Sequence, residues 1–367
     1  MNYYVKSENL QKRHFQASQI MISVRKQALL FILLAALLFC LTWPSHEPQP
    51  LSLLQQLQSR AKQVHGASSA LDSKTAFIEL KSALRQMEKA DALDWLFLEL
   101  TTGSNFTTLL DLTLDSAQNL AGWPSWRVFL IDLLFLTDPE AAAALSRELL
   151  STSSSPDEWA VCLRNIARAG KDETLLKTKS AELFRRKEWQ KNPSAGYLEA
   201  FDVIVHTRNT ALAPELLANC DAREEKAVRH ASFLTLDRLI MAEPAIVLPE
   251  VAREASRHPR SGVMLSNMIA RADVRDIAQR QALETYLLDP KRTAEELRGF
   301  ASVFPNANIA VSHNLLTQAP TISAADLSSR DKASFEQVAS WLEDPRFADI
   351  HKTLLQCHQR LAVFLAN

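Results

Sequence analysis

The sequence predicts an all-α protein, with a single membrane helix near the amino terminus followed by an array of short helical hairpins. Glycine, which interrupts helices, accounts for only seven of the 367 residues, against about 7% in average proteins. Strong helix formers such as Ala, Leu, Glu, Lys and Arg are abundant. After residue 51, apolar residues recur mostly three or four positions apart, which is the spacing of one helix face.

Residues 27–43 are predicted to be a membrane-spanning signal anchor. Every residue from 28 to 41 is apolar, and ten strongly apolar side chains favour insertion by about 3 to 6 kcal/mol. A run of about 17 residues is the lower limit for a membrane span. Residues 1–26 carry five basic side chains and one acidic side chain. The positive-inside rule therefore predicts that residues 1–26 are cytoplasmic and that residues 44–367 are extracytoplasmic.

Two alternatives remain for this apolar stretch. Its basic start and 14-residue apolar core also fit a cleaved signal peptide, although Phe39, Leu41 and Trp43 are bulky where a cleavage site needs small residues. Lipidation at Cys40 is the other alternative, but the preceding Phe39 fits a lipoprotein motif poorly. Without lipidation, Cys40 is a small apolar residue in a membrane helix.

The rest of the chain divides into a spacer and a helical domain. Residues 44–50 contain three prolines and are predicted to be a stiff spacer. The helical domain covers residues 51–367, and its short turns leave little room for a sheet. The helical apolar period predicts helices at residues 73–90, 93–103, 128–136, 141–150, 158–169, 173–189, 195–206, 223–242, 248–257, 262–270, 274–288, 294–303, 332–343 and 347–365.

Prolines that follow a capping or acidic residue mark predicted helix starts. These are Pro139, Pro156, Pro244, Pro290 and Pro345, which fall at no fixed period. Tandem short helices joined by such turns, over about residues 70–300, resemble the α-solenoids of the HEAT and armadillo class, whose repeats run about 40 residues. This resemblance implies a curved, elongated binding surface, and it transfers no catalytic residue.

Composition excludes several classes of function. The glycines are isolated, so the chain has no phosphate-binding glycine-rich loop, and we predict neither a nucleotide nor any other cofactor. The chain has 41 basic and 42 acidic residues. Because residues 1–43 hold five of the basic and one of the acidic residues, the remainder carries a net charge of −5. That balance argues against a nucleic-acid partner.

Two pairs of ionisable residues are the candidates for chemistry. Asp111 and Asp115 are four positions apart, and a helix would bring both carboxylates to one face, as general acid–base pairs or cation sites require. His351 and His358 are seven positions apart, on one face of a predicted helix. A metal site there would need ligands from a second helix, so no metal is predicted. The alternatives are a half-exposed helix for the aspartates and a solvated or capping role for the histidines.

Two further features bear on binding and oxidation. Residues 304–308 and the following His313-Asn314 form the most irregular segment of the domain, and irregular loops on rigid scaffolds are where binding residues concentrate. Cys162, Cys220 and Cys357 lie in apolar helical patterns and are predicted to be buried, although a disulfide between two of them remains open.

These features predict a single-pass membrane protein whose helical domain binds a protein partner or assembles a complex outside the cytoplasm. One alternative is an enzyme that acts on envelope polymers through a site on the helical array. The other is a secreted helical binding protein released by signal cleavage. A deep pocket with several ionisable groups would favour the enzyme, whereas an extended groove would favour the scaffold.

Overall fold

The computed structural model describes residues 52–102, 104–170, 172–222, 225–310 and 312–366. It is 73% helical and 2% strand, which confirms the all-α fold class. The predicted tail, membrane anchor and spacer, residues 1–50, lie outside the described residues. Among the helices that are described, none is long and apolar enough to cross a membrane. From Arg60 onward the described residues belong to one compact unit, Arg60–Asn367, and the preceding unit ends at Ser59.

The first part of the described chain contains seven helices and a small sheet. These are α1 (Ser52–His65), α2 (Ala70–Leu84), α3 (Lys89–Thr101), β1 (Thr113–Leu114), β2 (Leu120–Gly122), α4 (Trp126–Thr137), α5 (Pro139–Thr152), α6 (Pro156–Arg168) and α7 (Glu173–Arg185).

The second part of the described chain is helical throughout its regular structure. It contains α8 (Lys187–Lys191), α9 (Ala195–Glu199), α10 (Asp202–His206), α11 (Ala213–Asp221), α12 (Lys226–Ala242), α13 (Pro244–Glu254), α14 (Gly262–Ile269), α15 (Ile277–Leu287), α16 (Ala294–Val303), α17 (Ala324–Glu343) and α18 (His351–Ala366). Short 3₁₀ turns stand at Thr210–Leu212, Ala255–Arg257, Pro259–Ser261 and Pro345–Ile350.

Three of the five predicted proline starts are confirmed as the first residues of α-helices, namely Pro139, Pro156 and Pro244. Pro345 begins a 3₁₀ helix instead of an α-helix. In each of these positions the missing N–H of proline costs nothing, because the first turn of a helix has no partner for it.

The helix start predicted at Pro290 is wrong. The α16 helix begins at Ala294, where Thr293 and Glu296 form a reciprocal capping box. The Thr293 hydroxyl accepts from the backbone N–H of Glu296, and the Glu296 carboxylate accepts from the backbone N–H of Thr293. This pair of bonds satisfies two otherwise free N–H groups, and it therefore fixes the helix start four residues after the proline.

The helix that the Asp111 and Asp115 spacing presupposed is also wrong, because β1 and β2 form an antiparallel pair there, with a bulge between Thr113 and Leu114. Asp115 Oδ1 accepts from the backbone N–H groups of Ala117 and Asn119, each at 2.8 Å. Short acidic side chains that bond to nearby backbone amides favour turns over helix interiors. The carboxylate therefore shapes the turn between the two strands.

Helices pack mainly on their nearest and next-nearest neighbours in the chain. Adjacent pairs include α4 with α5, α5 with α6, α11 with α12, and α17 with α18. Next-nearest pairs include α4 with α6, α10 with α12, α13 with α15, α14 with α16, and α16 with α18. Burial of the apolar faces between such neighbours supplies most of the stability of short helices.

Aromatic side chains fill the space between the first helices and the hairpin. Phe77 of α2 lies against Trp123, Trp126 and Phe129, with ring centroids 4.4 to 6.3 Å apart. All four side chains are at most 3% exposed. Tilted and stacked contacts of this kind add to the large apolar area that each ring buries. This cluster attaches the hairpin to α2 and α4.

Candidate functional site

Three buried aspartate–arginine pairs join different helices of the domain. They are Asp132 with Arg164 at 2.8 Å, Asp202 with Arg238 at 2.9 Å, and Asp237 with Arg271 at 2.5 Å. No side chain in these pairs is more than 8% exposed. Buried charges are costly unless they are paired, so each arginine depends on its carboxylate partner.

The three pairs share one arrangement. In each pair the aspartate precedes the arginine, by 32 residues for Asp132 and Arg164, 36 for Asp202 and Arg238, and 34 for Asp237 and Arg271. The pairs join α4 to α6, α10 to α12, and α12 to the residue shortly after α14. Each pair therefore links helices that are two apart in the chain.

An irregular segment runs across two of these pairs. We call it the strap, and it comprises the described residues between α16 and α17, namely 304–310 and 312–323. Residues 306 and 308 of the strap bond to residues 267–271, residue 313 bonds to residues 238 and 199, and residues 314–317 bond to residues 202 and 118. The strap therefore runs antiparallel to the order of the helices that it crosses.

Asp202 is the point at which the strap is held most tightly. Its carboxylate accepts from the backbone N–H groups of Leu316 and Thr317, at 2.5 and 2.7 Å, and from the Thr317 hydroxyl. The guanidinium of Arg238 lies on the same carboxylate. Four donors thus converge on one side chain that is 1% exposed. Hydrogen bonds to charged acceptors are about twice as strong as neutral ones.

Three further side chains donate to backbone carbonyls of the strap. Arg238 Nη1 donates to the His313 carbonyl at 2.8 Å, and Arg271 Nη2 donates to the Asn308 carbonyl at 2.6 Å. The amide of Gln118 donates to the Asn314 and Thr317 carbonyls, at 2.8 and 2.7 Å. We refer to the residues that hold the strap in this way as the clamp: Gln118, Asp202, Arg238 and Arg271. The clamp binds the strap largely through the main-chain groups of the strap.

Burial raises the pKa of Asp202 and the pKa of Asp237. Arg238 and the donors of the strap act against this shift at Asp202, and Arg271 does so at Asp237. The partners of each carboxylate therefore favour its charged form, and they oppose the effect of burial without cancelling it. Removal of a partner would leave an uncompensated group in the protein interior.

His313 gives the strap a bend. Its backbone has a φ of +55°, in the left-handed region that non-glycine residues seldom adopt. Its Nδ1 lies 3.2 Å from Glu199 Oε1, and its ring lies 6.3 Å from that of His230. The pair with Glu199 attaches the bend to the end of α9. The irregular segment singled out in the sequence around His313-Asn314 is thus the middle of the strap.

The candidate aspartates are not brought together with the candidate histidines. Asp111 and Asp115 are exposed beside β1, whereas His351 and His358 lie on α18. His351 is the exposed first residue of that helix, and the ring of His358 stacks on Phe335 at 4.2 Å. No hydrogen bond joins the two pairs in the described part of the chain. The described residues also contain no group of three or more His, Cys, Asp or Glu side chains that could hold a metal ion.

The three cysteines outside the apolar stretch are free and buried, as predicted. Burial raises the pKa of Cys162, Cys220 and Cys357 to about 12 in each case. A thiol that stays protonated is a poor nucleophile and a poor metal ligand. These residues pack the interior.

The clamp was not predicted from the sequence. A signal was present, because Asp132 and Asp202 each stand inside an otherwise apolar run and Asp237, next to Arg238, lies in a largely apolar helix; buried carboxylates need partners. An arginine follows each of them after 32 to 36 residues. That interval is close to the length of a helical-hairpin repeat, whereas the proline starts have no fixed period.

Comparison of the chain with protein-family models, with curated proteins and with solved structures finds no match.

Proposed function

We propose that this chain is a membrane-anchored helical-repeat protein that binds a protein partner, or assembles a complex, on the extracytoplasmic side. The observation that carries the proposal is the clamp, in which Asp202, Arg238 and Arg271 hold an irregular segment of the chain by its main-chain groups. The helical array thus already recognises one polypeptide segment through its main chain, and this is chemistry that protein recognition also uses. The apolar residues 27–43 would hold the domain at the membrane.

The packing pattern supports an α-solenoid of helical hairpins. Contacts between neighbours and next-nearest neighbours are what a stack of hairpins produces. The aspartate–arginine interval of 32 to 36 residues supports a repeat near the 40 residues of the HEAT and armadillo class. The strap adds a third argument. Its eleven steps from residue 306 to 317 reach at most about 40 Å, which suits a few helix layers about 10 Å apart.

The test is capture of the partner by the full-length chain. The protein is crosslinked in cells and purified from detergent-solubilised membranes, and its companions are identified by mass spectrometry. We expect one stoichiometric protein partner. It should persist when residues 27–43 are replaced by an unrelated membrane helix, and it should disappear when residues 51–367 are deleted. A chain that purifies alone at several expression levels would contradict the proposal.

The alternatives have their own readouts. If no partner is found, activity assays on envelope polymers with substitutions at Asp111, Asp115, His351 and His358 would test the enzyme. Amino-terminal sequencing of the mature protein tests the secreted form, which would begin after residue 43. An intact amino terminus in the membrane fraction favours the anchored form.

A further inference from the structure

The α2 helix carries a stripe of residues that is largely exposed in the described domain. Leu71, Lys74, Ile78, Lys81 and Arg85 follow one another at spacings of three and four, which places them along one side of the helix. Leu71 is 73% exposed and Ile78 is 54% exposed. Apolar and basic side chains therefore alternate along this stripe, which we call the α2 stripe.

A groove lies beside the α2 stripe. Its volume is about 410 Å³, and α2 and the β2 region line its two sides. The lining residues are Lys74, Ile78, Lys81, Ser82, Arg85, Leu120, Ala121 and Trp123. Trp123 is 3% exposed and lies under Lys81, whose Nζ is 5.7 Å from the ring centroid. The groove thus has an apolar floor and a rim whose ionisable groups are all cationic.

The cations of the rim form no direct ion pair with a carboxylate of the described residues. None of the ion pairs formed among the described residues involves Lys74, Lys81 or Arg85. Many other basic side chains of the domain are paired, as Arg60 is with Glu79 on the other flank of α2. Three unpaired cations around an apolar floor complement an anionic, partly apolar ligand.

The electrostatics of Lys81 agree with this complementarity. Burial lowers the pKa of Lys81; Asp132 acts against this shift and Arg85 adds to it. The charged form of Lys81 is therefore less favoured in the domain than in water. A carboxylate placed in the groove would stabilise the ammonium group.

We propose that the groove beside α2 docks an amphipathic helix of a partner protein, with acidic side chains facing Lys74, Lys81 and Arg85 and an apolar side chain against Ile78. This inference deepens the proposed function and depends on that function. A stripe with a seven-residue period matches the period of a second helix laid alongside α2. Helix-in-groove recognition uses such spaced apolar anchors, and charged rims set the choice of partner.

The charge pattern also argues against another occupant from this chain. The amino-terminal tail, residues 1–26, carries five basic side chains and one acidic side chain, so it would be repelled by the rim. Anionic phospholipid would satisfy the cations but not the period of the stripe. That occupant is separated from a protein by the experiment below.

The experiment uses the full-length chain in cells, with a photo-crosslinking amino acid at position 78. The crosslinked species are isolated, and the attached segment is sequenced by mass spectrometry. Lys74→Glu/Arg85→Glu is the test variant. Lys332→Glu/Lys352→Glu is the matched control, because both of these lysines are exposed and the change in net charge is the same. Circular dichroism checks that each variant keeps its helix content.

We expect a crosslink to a partner segment that contains more acidic than basic residues at helical spacing. Its yield should fall about tenfold or more in the test variant and stay unchanged in the control. The milder variant Lys74→Gln/Arg85→Gln should give an intermediate crosslinking yield. It provides a second measurement in case Lys74→Glu/Arg85→Glu has a folding defect. A crosslink to lipid, a segment without an acidic excess, or an equal loss in both glutamate variants would overturn the inference.

The outcome also separates this inference from the proposed function. If a stoichiometric partner co-purifies but does not crosslink from position 78, the groove is not its docking site and the proposed function stands. If no partner co-purifies and none crosslinks, both are overturned.

Discussion

The substitution Asp202→Ala should release the strap and destabilise the whole domain. Arg238, which is 7% exposed, would lose its carboxylate partner in the protein interior. The backbone N–H groups of Leu316 and Thr317 would lose their acceptor at the same time. Breaking one partner of a buried ion pair typically costs about 3 to 5 kcal/mol of unfolding free energy. We expect a loss in this range, with a larger effect on the strap than on the helices.

Hydrogen exchange of the full-length protein in detergent measures both effects. The slowest amides of α12 report global unfolding, whereas the amides of Leu316 and Thr317 report local opening of the strap. In the substituted protein, we expect the two strap amides to exchange much faster than the amides of α12. Every 1.4 kcal/mol lost from the opening free energy is about a tenfold faster exchange.

Asp132→Ala is the matched control. Asp132 is also buried and paired with an arginine, but its partner Arg164 makes no bond to the strap among the described residues. The Asp132→Ala substitution should lower the global stability by an amount similar to that for Asp202→Ala, but it should not open the strap selectively. A second variant, Asp202→Leu/Arg238→Met, removes both charges and should recover much of the global stability while the strap amides stay unprotected. Unchanged protection of Leu316 and Thr317 in Asp202→Ala would refute the reasoning.

Three further predictions concern other parts of the domain. Hydrogen bonds from Ala141 and Glu140 and the charge of Lys89 hold the pKa of Asp138 below its usual range. The stabilisation by this charge is therefore present above about pH 4 and is lost as the pH falls through the lowered pKa. The difference in stability between the protein and Asp138→Asn should shrink during acid titration followed by circular dichroism, and a constant difference would contradict this. Thr293→Ala should lower the unfolding free energy by about 1 kcal/mol in chemical denaturation, because the capping box is lost, and an effect near zero would mean that the box contributes nothing. The three buried thiols should resist iodoacetamide at about pH 8 in the native protein and react in denaturant, and native labelling would show that the interior is open.

Long, strongly periodic helices could be predicted from the sequence, and irregular connections could not. The helix at residues 294–303 was predicted with its correct ends from its apolar period, and the structure shows that the capping box of Thr293 and Glu296 marks its start. In contrast, the helix predicted over residues 195–206 is wrong as a single element. It is divided into α9 and α10 by Ala200 and Phe201, both of which are buried. Tertiary packing overrides the local period there.

The ends of helices were also misplaced where the first turns are polar. The sequence predicted a helix from residue 332, whereas α17 begins at Ala324 with a cap from Ser323. Its first half exposes mostly polar side chains, so an apolar period is absent. The α11 helix, Ala213–Asp221, was not predicted.

The strap itself could be located in the sequence but its role could not. Its irregularity around His313 is a local property, visible from Pro and Asn content. Its partners are not local, because the bonds from Gln118 and Asp202 span 196 to 199 and 114 to 115 residues. No periodicity relates residues at such separations. Only the buried aspartates hinted that partners had to exist elsewhere in the chain.

The most direct test of the central claim is the mass of the particle that the full-length chain forms when it is extracted gently from cells with a mild detergent. We expect a single complex, heavier than the chain alone, that contains one additional protein in fixed proportion. A chain that lacks residues 51–367 should not form it. A particle with the mass of the chain alone, at every expression level, would contradict the claim that the helical domain is a docking surface.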